Sequence, residues 1–73
     1  MYVDTLKYRV DAWYVPQSGS DGFWKQLKEY DMSKKTYAMR RIAKLQEQGV
    51  PCRLVRVRRI DESVTEETLW ESK

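Results

Sequence analysis

Apolar and polar residues alternate along the first part of the chain. Leu6, Tyr8 and Val10 are interleaved with charged residues, and a period of two with Tyr and Val enrichment is typical of a strand. We therefore predict a strand from about Leu6 to Val15. Pro16 ends it, because proline has no N–H group to donate to a neighbouring strand.

A second strand is predicted after a turn. Residues 17–22 are a cluster of turn-forming residues. Phe23 to Asp31 is rich in aromatic residues, which favour a strand, so the two segments would form a hairpin. Residues 25–30 are also compatible with a helix, and that alternative stays open.

The clearest helical pattern lies between Lys34 and Gln48. Ser33 is a suitable N-cap residue, and a step of 100° per residue places Ala38, Ile42 and Leu45 on one apolar stripe. Gly49 follows as a C-terminal stop signal. We predict a helix over these residues.

A third strand is predicted from Cys52 to Ile60, after Pro51. Its alternation is imperfect, since Val55 and Val57 share one face whereas Leu54 and Ile60 lie on the other. Either a β-bulge or a sheet that is covered on both faces would explain this pattern.

The order of these elements predicts an α+β fold of ββαβ type. We expect a three-stranded antiparallel or mixed sheet in the order 2-1-3, with one helix packed on one face. Residues 1–73 are interpreted as a single small domain. The acidic segment 61–73 is interpreted as an extra strand, a helical turn or a tail.

The size and composition of the chain limit its stability. Of its 73 residues 41% are hydrophobic, which is enough for a small core and argues against general disorder. A domain of this length buries only about 60% of its unfolded surface. Formation of a homodimer would add buried area.

The residues that most enzymes and metal sites depend on are missing or isolated. The chain has no histidine, the commonest general base and metal ligand. Cys52 is the sole cysteine, so we expect a buried structural thiol and neither a disulfide nor a cysteine-based zinc site. Gly19 and Gly22 precede a strand, which does not fit a phosphate-binding loop. We expect a protein that is not an enzyme and that has no cofactor or metal.

The expected compartment is the cytoplasm. A single thiol fits a reducing environment. No run approaches the ~20 apolar residues of a membrane span, and no signal peptide is recognised at the start of the sequence. A membrane partner is therefore not expected.

The charges are segregated along the sequence. Residues 34–59 contain nine basic residues and one acid, whereas residues 60–73 contain five acids and one lysine. The net charge of +3 for the whole chain does not show this contrast between the two segments. A local excess of positive charge attracts phosphates and acidic protein surfaces.

The candidate binding residues come from the helix and the third strand. They share positive charge or an aromatic ring, and they are Lys34, Tyr37, Arg40, Arg41, Lys44, Arg56 and Arg58. The helical members fall in one arc beside the apolar stripe, and the strand would extend it, together with Arg53 and Arg59. The alternatives are a solvated face, or a patch that the acidic segment neutralises.

Two tryptophans are candidates for an interface. Tyr8, Val10 and Tyr14 are predicted to lie in the core, which places Trp13 on the opposite face of the sheet. There it would stack on a base, bind a protein partner or form the seam of a homodimer, and we favour the homodimer. Trp70 is expected to cover the same face.

The sequence also resembles small accessory proteins of bacteriophages and prophages. The resemblance runs from Trp24 to Thr68 and depends on Tyr30-Asp31, Ser33 before the helix, Arg53-Leu54-Val55-Arg56-Val57, and Val64-Thr65-Glu66-Glu67-Thr68. It implies a hairpin, a helix and a final Arg/Val-rich strand. Most such proteins have no assigned function, and some act by binding host enzymes or defence components directly, in the bacterial host cytoplasm.

These observations lead to three functional hypotheses. The first is a homodimeric accessory protein that binds a host or viral protein. The second is a nucleic-acid or nucleotide binder that uses the basic helix and strand, and the third is a structural or assembly protein.

Overall fold

A computed structural model describes residues 3–17, 19 and 21–72. In chain order its elements are β1 (Asp4–Tyr14), β2 (Phe23–Asp31), a 3-10 turn (Met32–Lys34), α1 (Lys35–Glu47), β3 (Cys52–Ile60) and β4 (Ser63–Ser72). Ser18 and Ser20 of the predicted turn, Lys73 of the acidic segment and the first two residues of the sequence lie outside the described residues.

The sheet has four antiparallel strands in the order β2-β1-β3-β4. The α+β class is confirmed, but the expectation of three strands is wrong. The acidic segment forms β4, since its Val, Thr, Leu and Trp residues suit a strand and pair with the edge of β3. The turn between them uses Asp61, whose φ of 52° is a left-handed value that aspartate tolerates.

The helix is close to its predicted position, but its start differs. Ser33 was predicted to be the N-cap and is not, because it lies inside the 3-10 turn and Lys34 occupies the cap position without a side-chain hydrogen bond. The end follows the prediction. Gly49 has a φ of 72°, and the N–H groups of Gly49 and Val50 donate to the carbonyls of Gln46 (3.0 Å) and Leu45 (2.9 Å), which is a Schellman motif.

The core lies between α1 and one face of the sheet. It contains Tyr8, Val10, Ala38, Ile42, Leu45, Cys52 and Leu54. Tyr14 was predicted to belong to it but is 46% exposed. The pairing of β3 with β1 stops at Ala12, so the end of the β1–β2 hairpin extends beyond β3 and its Tyr14 is not covered.

The opposite face of the sheet holds a buried network of charged side chains. Asp11 has no exposed surface. Arg9 donates two hydrogen bonds to its carboxylate, from Nε to Oδ1 (2.8 Å) and from Nη2 to Oδ2 (3.0 Å), and Arg53 Nε donates a third to Oδ2 (2.7 Å). These bonds join β1 to β3, and Arg9 also reaches Glu66 on β4.

The network explains the irregular pattern of β3. Arg9 on β1 and Glu66 on β4 meet across β3, whose Val55 is only 1% exposed on this face, while Leu54 is buried against the helix side. Both faces of β3 are therefore covered, one by α1 and the other by side chains of the sheet itself. The hydrogen bonds to Asp11 raise the pKa of Arg9, although burial opposes them.

Replacing the central carboxylate should destabilise the fold strongly. We expect Asp11→Asn to lower the free energy of unfolding by about 3 kcal/mol, because it leaves Arg53 without its counter-ion and the buried Arg9 with Glu66 alone. Urea denaturation followed by circular dichroism measures the change. The matched control is Glu67→Gln, whose carboxylate pairs with Arg56 at an exposed position and should cost less than about 1 kcal/mol. Equal losses in the two variants would contradict this role for Asp11.

The thiol of Cys52 should be unreactive in the folded protein. Cys52 is fully buried, and burial raises its pKa by penalising the thiolate. Iodoacetamide should therefore alkylate it slowly until urea is added. Because the folded-state pKa is the higher one, the thiol favours folding below the ordinary thiol pKa, and this contribution is lost as the pH rises through the folded-state value. Stability that does not fall in alkaline solution, relative to Cys52→Ala, would contradict the assignment.

Candidate functional site

The helix divides the covered face of the sheet into two flanks. On one flank, Lys34 and Tyr37 line a recess together with residues 28–31 of β2. On the other flank, Met39, Ala43 and Gln46 line a groove with Leu54 and Trp70. We call these the β2 flank and the β4 flank.

Five of the candidate binding residues come from the predicted helix, and they lie toward the β2 flank. Lys34, Arg41 and Lys44 follow the spacing of one helix face, and Tyr37 lies between them. Arg40 is at the edge of this group, with its guanidinium 5.7 Å from the centre of the Tyr37 ring. Within the described residues none of the four cations forms an ion pair with a carboxylate.

Two of the predicted residues, Arg56 and Arg58 of β3, are paired with carboxylates. Arg56 pairs with Glu67 of β4, and Arg58 donates to Asp4 of β1 from Nε (3.2 Å) and Nη2 (3.0 Å). Both residues point to the helix side of the sheet, but their charges are compensated there. The positive charge that β3 was predicted to add to the surface of α1 is therefore compensated at Arg56 and Arg58.

The remaining two arginines of β3 lie on the helix-free face. Arg53 binds Asp11 and places its guanidinium 4.6 Å from the Trp24 ring centre, and Arg59 Nε donates to the backbone carbonyl of Asp61 at 3.0 Å. Side chains alternate between the two faces of a strand, so Arg53 and Arg59 lie on the same face as Val55.

Two lysines of β2 join the helical group, although the sequence pattern did not predict them as members. Residues three apart on a regular strand point to opposite faces. The register of β2 against β1 shifts at Leu27, where Asp11 pairs with Gln26 and Val10 with Lys28. This bulge turns Lys25 and Lys28 to the same side as α1.

Cation–π contacts locate these two lysines. Lys25 Nζ is 5.5 Å from the centre of the Tyr14 ring, and Lys28 Nζ is 5.4 Å from the centre of the Tyr30 ring. Both rings are on the helix side of the sheet. We define the basic surface as the six cations of the β2 flank, which are Lys25, Lys28, Lys34, Arg40, Arg41 and Lys44.

The tryptophans lie on different faces. Trp13 is half-buried on the helix-free face, where its ring meets Trp24 edge-on with the centroids 5.2 Å apart. Gly22 packs against the Trp13 indole so closely that a Cβ there would lie 2.9 Å from Nε1. Trp13 is therefore part of a packed cluster.

Trp70 was expected on the face of Trp13, and this expectation is wrong. Regular alternation from Glu66 and Thr68 would have placed it there. The register of β4 shifts so that Thr68 pairs with Val55 and Trp70 with Leu54, and the extra residue turns Trp70 toward α1. Its ring is 37% exposed and lines the groove of the β4 flank.

Metal sites and membrane spans are not found in the described part of the chain. Among the residues that the structure describes, no group of three or more Cys, Asp or Glu side chains is arranged to hold a metal ion. No helix over the same residues is long and apolar enough to cross a bilayer.

No protein-family model, curated protein or solved structure matches the chain. The resemblance to accessory proteins of bacteriophages stays a prediction.

Proposed function

We propose that this chain is a non-catalytic binding protein whose basic surface binds the phosphates of a nucleic acid. The observation that carries the proposal is the collection of six cations from α1 and β2 on one flank, without an ion-pair partner within the described residues. The positive charges of such a cluster repel one another, and the binding of a polyanion relieves this repulsion.

The distribution of ion pairs supports this choice of surface. Four of the five arginines of the sheet are compensated, since Arg9, Arg53, Arg56 and Arg58 each bind a carboxylate. Much of the positive charge that is left uncompensated therefore lies on the β2 flank. Glu29 and Asp31 line the recess at the end that begins α1, and Glu47 follows Lys44 by three residues at the other end of the helix.

The shape of the surface favours an extended polyanion over a single anion. Lys25 and Lys28 lie three residues apart on β2, about 10 Å at the usual rise of a strand, and Lys44 lies ten residues after Lys34, about 15 Å along the helix. Lys34, Arg41 and Lys44 follow the helix beside β2. A nucleic acid presents phosphates at regular intervals over such a distance, whereas an isolated nucleotide would contact only part of the surface.

Removing charge from the basic surface should weaken binding in a salt-dependent way. We expect Arg41→Gln/Lys44→Gln to bind a labelled oligonucleotide more weakly than the parent protein. On a single strand, the slope of log affinity against log salt should flatten by about 0.7 for each phosphate that the variant no longer neutralises. Fluorescence anisotropy at several salt concentrations measures both effects.

The chain offers a control with the same change in net charge. Arg56→Gln/Arg58→Gln also removes two positive charges, but these side chains are compensated by Glu67 and Asp4. This variant should retain the parent salt slope. If both double variants lose affinity equally, net charge and not the basic surface is responsible, and the proposal fails.

A second candidate function is the binding of a protein, as the resemblance to bacteriophage accessory proteins implies. The apolar groove of the β4 flank favours it. This groove has a volume of about 390 Å³, and it includes the exposed side chains of Met39 and Trp70. Exposed apolar surface of this kind often marks a contact between proteins.

A second copy of the chain is the first partner to test for the groove. If the groove forms a homodimer, light scattering should give twice the mass of 8.8 kDa, and Met39→Asp should return the protein to a monomer. The exposed substitution Val64→Asp, on the other face of β4, is the control. A monomeric parent protein at high concentration would exclude the homodimer.

A further inference from the structure

The end of the β1–β2 hairpin exposes two aromatic rings. Tyr14 and Phe23 are 46% and 50% exposed. They pair across the two strands, and their ring centroids are 5.4 Å apart with an interplanar angle of 62°. Because β3 pairs with β1 only as far as Ala12, neither the third strand nor the core shelters these rings.

The ring pair is continuous with the basic surface. Tyr14 and Phe23 are on the helix side of the sheet, and Lys25 follows on the same side with its Nζ 5.5 Å from the Tyr14 ring centre. Lys28 is the next cation along β2. The flank therefore begins with two exposed rings and continues with cations on the strand and the helix.

We propose that the nucleic acid is bound as a single strand, with bases stacking on Tyr14 and Phe23 while the basic surface holds the phosphates. This inference rests on the proposed function. Rings beside a cationic track are the combination that single strands require, since their bases are free to stack, whereas the bases of a duplex are enclosed. The ring faces accept any base, so little sequence preference is expected.

The other rings of the chain fit this role less well. Trp13 packs against Trp24 on the helix-free face, away from the basic surface. Trp70 lies on the β4 flank in the apolar groove. Tyr37 is within the basic surface, but among the described residues it does not pair with a second ring, whereas Tyr14 pairs with Phe23.

An oligonucleotide without bases separates stacking from phosphate binding. The probes are a labelled oligothymidine of about 12 nucleotides, within the range that one small domain covers, and a chain of abasic sites of the same length. By anisotropy, the parent protein should bind the oligothymidine about tenfold more tightly than the abasic chain. Both complexes should weaken as salt is added.

The assignment of the rings is tested with the double variant Tyr14→Leu/Phe23→Leu. It should bind the two probes equally, at the affinity that the parent shows for the abasic chain. Trp70→Leu, which removes an exposed ring of the β4 flank, should keep the parent preference, and Tyr14→Phe should keep it too. Circular dichroism tests whether each variant is folded. If the double variant is unfolded, the single variant Phe23→Leu is used in its place.

Each outcome has a defined meaning. Equal binding of both probes by the parent protein would overturn the stacking inference and leave phosphate binding intact. Failure to bind either probe at low salt would overturn the proposed function and the inference with it. A double variant that still prefers the oligothymidine would show that the bases stack elsewhere, and the assignment to Tyr14 and Phe23 would be wrong.

Discussion

The buried carboxylate of Asp11 is the constraint around which the sheet is organised. A sheet covered by a helix on one face only would leave the middle of its other face open to water. Here Asp11 holds Arg9 and Arg53 over that face, and Arg9 continues across β3 to Glu66. The hydrocarbon parts of these side chains take the place of a second layer, and no buried side-chain nitrogen or oxygen among the described residues lacks a hydrogen-bond partner.

The same pairing determines where positive charge is left over. Adding β4 brings Glu66 and Glu67 beside the inner strands, where they neutralise Arg9 and Arg56, while Asp4 and Asp11 of β1 neutralise Arg58 and Arg53. β2 lies on the far side of β1 from β4, and the cations on the β2 flank of α1 form no ion pair with Glu66 or Glu67. Basic character on the β2 flank thus follows from the order of the strands and not from the composition of any one element.

Two β-bulges decide which side chains share a surface. The irregularity at Leu27 turns Lys25 and Lys28 toward the helix, and the one at Leu69 turns Trp70 away from the face of Trp13. A shift of one residue moves every following side chain to the opposite face of a strand. Both edge strands of the sheet carry such a shift, which also bends the edges and discourages uncontrolled pairing with other strands.

The amino-acid sequence by itself determined the elements that depend on local patterns. These are the hairpin strands, the apolar stripe of Ala38, Ile42 and Leu45, and the stop at Gly49. Only the tertiary structure decided the fourth strand, the ion pairs of Arg56 and Arg58, and the membership of Lys25 and Lys28 in the basic surface. The physical reason is that strand register and bulges arise from pairing between distant segments. The residues next to a strand side chain in the sequence therefore do not determine which face of the sheet it lies on.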